Sequence, residues 1–179
     1  MTIFIVSSYG IGEENIKSIM DSKTKKAVQT LKDKRLTQKQ KETKIIKMMD
    51  PVFSYTTMAK ISLGKQWKRL SKKEKQAFTQ AFERKIKHSY VDKLKLYKNQ
   101  KVITSKPKKI KKNRIILTTK IMGNNETYKI VNAFFKKKNT NQWYIYDVKL
   151  AGVSIIQTYR KQFAAFLKTK SFKQLLDSL

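Results

Sequence analysis

The spacing of apolar residues changes period twice along this chain, and that change constrains the fold more than any single motif. Up to about residue 97 the apolar side chains recur at helical intervals, from about 100 to 150 they alternate, and from Ser154 the helical interval returns. Helices, then strands joined by short links, then helices again predict an α+β domain. A parallel sheet would need a crossover between successive strands, and these links are too short for one.

Local signals agree with the periods. Four positions carry a Ser or Thr with Glu or Gln three residues on, the signature of a capped helix start: Thr37 with Gln40, Ser71 with Glu74, Ser154 with Gln157, and Ser171 with Gln174. The predicted helices cover about 13 to 34, with Ile16, Met20, Ala27 and Leu31 on one face; 38 to 49, interrupted by Asp50-Pro51; and 56 to 67, with Met58, Ile61 and Leu63 ahead of Gly64. The longest spans about 72 to 97 and carries a broad stripe of Phe78, Phe82, Ile86, Tyr90, Leu94 and Tyr97. Strands are predicted near 100–105, 114–122, 126–136 and 142–150, a four-stranded antiparallel sheet packed with N- and C-terminal helices. The segments SKPKKIKKN, GNN and KKNTN read as turns, and the lysine runs at 108–112 and 136–138 as their solvated charges. Helices from Ser154 and from Phe172 close the chain.

At 179 residues one domain is expected, covering 11–179. The opening MTIFIVSSYG, a short apolar run followed by small residues, reads as the remnant of an export signal over 1–10, or else as an ordinary frayed terminus. No run of 18 apolar residues is present to cross a membrane as a helix.

Enzyme signatures are tested quickly because most need residues this chain lacks. With no cysteine and one histidine, thiol catalysis, disulfide scaffolds and zinc fingers are excluded. Five glycines form neither G-x-G-x-x-G nor a phosphate loop. Gly152-Val153-Ser154 lacks the second glycine of a nucleophile elbow; Gly152 reads as a tight strand-to-helix turn and Ser154 as a helix cap. His88 sits mid-helix among lysines, and nothing marks Asp147, Glu74 and Asp92 as a catalytic set. No enzymatic activity, metal or cofactor is expected.

The 42 Lys and Arg against 12 Asp and Glu give a formal charge of +30, which favours an anionic partner: nucleic acid, a phospholipid surface or an acidic protein. Arginine occurs at 35, 69, 84, 114 and 160 and the rest is lysine, whereas bidentate reading of phosphate and guanine favours arginine. A nucleic-acid-binding alternative also lacks its marks. The strand YKIVNAFF has no RNP-type glycine, there is no G-x-x-G loop, and the lysines occur in nearly every element.

The apolar surplus around WYIYDVKLAGVSIIQTYRKQF suggests more than a one-sided sheet. Alternation places Tyr144, Tyr146, Val148 and Leu150 on one side and Trp143, Ile145, Asp147 and Lys149 on the other. It also places Tyr128, Ile130 and Phe134 opposite Val131, Ala133 and Phe135. Either helices cover both faces as ordinary core, or the ring-rich helix stands off a concave sheet and leaves an apolar cavity. A diacyl lipid suits such a cavity, since two tails at about 0.8 kcal/mol per buried CH₂ contribute on the order of 20 kcal/mol.

The run MMDPVFSYTTMAKISLGKQWKRLSKKEKQAFTQAFERKIKHSYVDKLKLY, followed by WYIYDVKLAGVSIIQTYRKQFAAFLKTKSFKQLLDSL, resembles the periplasmic lipid carriers of the MlaC, or toluene-tolerance, family. The matching marks are Leu63-Gly64 followed by Trp67, Phe78 and Phe82 with Tyr90, and Tyr146-Asp147-Val148 leading to Gly152-Val153-Ser154 and Tyr159-Arg160. The resemblance implies an exported, monomeric periplasmic protein of NTF2-like fold that holds phospholipid cargo in an apolar cavity between sheet and helices. It implies partners too: an outer-membrane lipoprotein complex and an inner-membrane ABC transporter complex with its MCE-domain subunit, maintaining outer-membrane lipid asymmetry. Facing patterns put Phe82, Ile86, Tyr90, Leu94, Tyr146, Val148, Ile156 and Tyr159 in the lipid pocket. Ala151 stands where many members have an acidic residue, and the lysine load is unusually high.

Overall fold

A computed structural model describes residues 10–94, 100–123 and 127–179, with 90–94 described by backbone alone. The MTIFIVSSY segment, Tyr97 and the two asparagines of GNN lie outside the described residues, as do the side chains of Tyr90, Asp92 and Leu94. The helices are α1 (Ile16–Lys32), α2 (Gln38–Met49), α3 (Tyr55–Leu63), α4 (Lys72–Leu94), α5 (Ile155–Phe166) and α6 (Phe172–Asp177). Reciprocal caps close at Thr37 with Gln40, Ser71 with Glu74 and Ser171 with Gln174, so side chains satisfy N–H groups that helix starts leave unpaired. After Met49 the chain tightens into a 3-10 turn at Asp50–Val52, where Pro51 has no N–H to continue the α-helical ladder. After Leu63 it turns at Gly64, where φ is +57°.

The strands are β1 (Lys101–Thr104), β2 (Lys108–Lys111), β3 (Arg114–Met122), β4 (Thr127–Lys136), β5 (Trp143–Leu150) and β6 (Val153–Ser154). They form one antiparallel sheet in the order β1-β3-β4-β5-β6, with β2 also paired to β3. The sheet therefore has six strands rather than the four expected. The SKPKKIKKN segment is not simply a turn: it turns at 112–113 and pairs back on β3, and because all four β2 residues are exposed, no burial contrast betrays the strand. The two-residue β6 folds back on Lys149 and Leu150 around Ala151 and Gly152, whose φ values are +47° and +86°.

The pairing of β4 with β5 corrects the expected faces. Phe134 pairs with Ile145 and Ala133 with Asp147, so Tyr146 is an extra residue, a β-bulge. Past the bulge the alternation inverts. Val148, opposite Asn132, joins the side of Trp143 and Ile145 instead of that of Tyr144, and the same register brings Leu150 with it.

Two clusters make the core. On one sheet face Ile115, Leu117, Phe134, Trp143 and Ile145 meet Ile11, Val52 and, from α1, Ile16 and Met20. The other cluster lies among α3, α4, α5 and α6, built on Met58, Leu63, Phe78, Phe82, Ile156, Phe163 and Leu175. Phe53, bridged to Ile145 of β5, touches both.

Candidate functional site: an apolar sheet lane and a basic cleft

Of the eight expected pocket residues, the structure brings four together among the helices. Phe82, Ile86 and Ile156 are buried and Tyr159 half-buried in one cluster. The rings of Phe82 and Tyr159 meet edge-on at 5.1 Å and those of Phe82 and Phe163 at 5.5 Å, a geometry aromatic quadrupoles favour. The Tyr159 hydroxyl lies 3.1 Å from Ser89 Oγ. Val148 stands apart, half-buried on the face that carries the sheet cluster. Tyr146 sits at the bulge, with the Phe135 ring 6.1 Å away and the Arg114 guanidinium 5.2 Å from its own ring.

The bulge also builds the corner where the quoted motifs meet. It brings Asp147 to the start of α5, where its carboxylate accepts from Ser154 Oγ at 2.6 Å and from the Ile156 N–H at 3.2 Å. Ser154 Oγ in turn accepts from the Gln157 N–H at 3.0 Å. A carboxylate at a helix N-terminus also faces the positive end of the helix dipole. Across the cluster, a Cβ placed on Gly64 would lie 3.4 Å from Arg160 Nε, so two distant motif residues pack side to side.

Open space lies elsewhere. A cleft of about 560 Å³ runs between α1 and β1. Thr24 and Val28 of α1 face Val102 and Thr104 across it, and Lys17, Lys25, Lys32 and Lys101 line it with a single acid, Asp21, which is paired with Lys17. Register continues its sheet wall. Val102 pairs with Ile121 and Ile121 with Tyr128; Thr104 pairs with Thr119, Thr119 with Ile130 and Ile130 with Leu150. Ile121, Ile130 and Leu150 are half-buried and Tyr128 is exposed, an apolar lane on the same face as the sheet cluster that starts beside Val148, which packs on the cluster, and runs beyond its packed part. The volume is within the range of roughly 300–1,000 Å³ usual for ligand sites.

Sequence reasoning missed this wall, although two signals pointed to it. Val28 continues the i+4 row Ile16, Met20, Thr24, and alternation in KVIT sends Val102 and Thr104 to one side. Among the described residues no group of three or more His, Asp or Glu side chains is placed to hold a metal ion.

A family model described as MlaC protein matches residues 21–179 of the chain. No curated protein matches it. Among solved structures, the phospholipid-binding protein of Ralstonia solanacearum, in complex with a phospholipid, superposes with a TM-score of 0.76 at 19% identity, over 90% of this chain and 94% of that one. At that identity the likeness is one of fold.

Proposed function

The chain belongs to the MlaC family, and from that premise we propose that it is a phospholipid-binding carrier whose acyl chains lie along the apolar lane and whose headgroup faces the lysines of the cleft. The observation that carries this reading is the half-buried lane of Leu150, Ile130 and Ile121, continued by register to Val102 in the wall of a cleft that Thr24 and Val28 also line. Apolar surface left partly wet gains about 25 cal/mol per Å² when hydrocarbon covers it. Lysines 17, 25, 32 and 101 supply several point charges for a phosphate, with Asp21 in opposition. No bond is made or broken in this role, and no catalytic group is assigned.

The wider role follows the family. The protein is exported to the periplasm and works there as a monomer. It shuttles lipid between an outer-membrane lipoprotein complex and an inner-membrane ABC transporter complex with its MCE-domain subunit. Base stacking has little support here, because Tyr128 is the one exposed aromatic side chain among the described residues.

Native mass spectrometry of protein expressed with an export signal, followed by lipid extraction, tests the reading. A stoichiometric phospholipid adduct that survives high salt is expected, and Val28→Asp with Val102→Asp removes it while the fold persists. A bare mass under mild conditions overturns it.

A further inference from the structure

We propose that the sheet face opposite α1 is a docking surface for an anionic phospholipid bilayer. On that face register sets lysines and aliphatic side chains in alternation: Lys101 pairs with Met122, Ile103 with Lys120, Lys120 with Lys129, and Val131 with Lys149. All four lysines are exposed, and so are Ile103 at 43% and Met122 at 39%. The large exposed apolar side chains among the described residues, Ile103, Ile110, Met122, Tyr128 and Val153, all belong to strands and none to a helix.

Two features show that the part of this face beyond the buried Ala133 and Asp147 is not built for the fold's own stability. Lys120 lies directly across from Lys129, and like charges directly opposite on neighbouring strands are destabilising. Residues 100–150 carry thirteen Lys and Arg against two acids, Glu126 and Asp147, and Asp147 is engaged by Ser154 and the α5 backbone. Lys120, Lys129 and Lys149 make no ion pair among the described residues. An external anionic plane would relieve this repulsion.

The chemistry selects a bilayer among anionic partners. Lysine is a point charge without the fork that reads single phosphates bidentately, so four of them on a sheet suit a diffuse plane of charge. The interleaved Ile103 and Met122 suit the apolar boundary beneath the headgroups, which a nucleic-acid backbone does not offer. A shallow recess of about 370 Å³ beside Ile103, Lys120, Met122 and Thr127 leaves room between these side chains. Strand β1 is the sheet edge where the two faces meet: by register Lys101 and Ile103 belong to this face and Val102 and Thr104 to the other, and all four line the cleft mouth, so docking brings that mouth to the membrane. That last link rests on the proposed lipid-carrying role; the docking itself does not.

The test is co-sedimentation of the full chain with phosphatidylcholine vesicles, with and without phosphatidylglycerol. Binding to the phosphatidylglycerol vesicles is expected, with loss at high salt and none to phosphatidylcholine alone. Lys120→Gln, Lys129→Gln and Lys149→Gln should each weaken it about fivefold. Met122→Ser should weaken it as well, while Lys39→Gln with Lys44→Gln on α2, which lowers net charge equally or more, leaves it unchanged. Lys120→Glu should weaken binding yet raise Tm, because it turns a like-charge pair into an opposite one, so loss of fold cannot imitate the result. Equal binding to both vesicles, equal weakening by the α2 pair, or binding to duplex DNA or polyglutamate without binding to phosphatidylglycerol vesicles overturns the proposal. Native mass spectrometry of the same variants keeps the two readings apart: co-purified lipid is retained when docking fails, and its absence from the wild-type protein bears on the cargo alone.

Discussion

Asp147 shows how much one side chain can hold. It is nearly buried, and it accepts from Ser154 Oγ and from the Ile156 N–H at the strand-to-helix corner. Hydrogen bonds to a charged group contribute about 1.5–3 kcal/mol, so Asp147→Ala should cost on that order in chemical denaturation, and Asp147→Asn less. Lys87 is the second such residue: its ammonium donates to Asp50 and to Glu83, each at 2.6 Å, tying α4 to the 3-10 turn after α2. Burial pushes its pKa down, but the hydrogen bonds to Asp50 and Glu83 outweigh that and hold it above the ordinary lysine value of 10.5. A raised folded pKa means the contribution is fully present below the ordinary value and fades as pH climbs through the raised one. Lys87→Met should therefore cost about 1 kcal/mol at neutral pH, and the difference from wild type should shrink in alkaline denaturation curves. Gly64, at φ +57° and ψ −123°, adopts a backbone that other residues enter only with strain, so Gly64→Ala should lower stability by about 1–3 kcal/mol even with Arg160 able to shift.

Among the elements, α4 separates packing from lining. Its Phe78 and Phe82 are fully buried against Phe163, Phe172 and Tyr159, inside a cluster closed by α3, α5 and α6. If Phe82 packs, Phe82→Ala should cost about 3–5 kcal/mol in thermal or chemical unfolding and leave lipid stoichiometry intact; lipid loss at little cost in stability would make it a pocket wall. The first turn of α4 is pH-sensitive on its own account. Hydrogen bonds from Ser71 hold Glu74 below the ordinary carboxylate value of 4.5, and a depressed folded pKa means a contribution present above that value and lost as pH falls through the folded one. Amide exchange at the start of α4 should accelerate on acidification below that range, and Glu74→Gln should blunt the change.

For the molecule as a whole, charge and shape divide along the sheet. One face carries the sheet cluster, α1 and the lane; the other carries lysines among aliphatic residues beyond the buried Ala133 and Asp147, and β1 belongs to both. A net charge of +30 repels itself in the compact state, so added salt should raise Tm, as calorimetry will show, while weakening docking to an anionic surface. Much of this was legible beforehand, because helix periods, capping pairs and the corner residues Gly152 and Ser154 are local signals that a segment carries in its own side chains. The rest was not. Strand β2 is exposed throughout and left no alternation to read; the bulge at Tyr146 is set by what β4 pairs with, and it moved Val148 and Leu150 to the other face. The amino-acid sequence by itself determined the α+β class, the order of elements and the basic surface, since period, cap and charge act within a few residues. Which apolar side chains close into core and which stay open as a lane was decided only by tertiary pairing, because a one-residue shift in a strand exchanges its two faces and no residue in that strand records the shift.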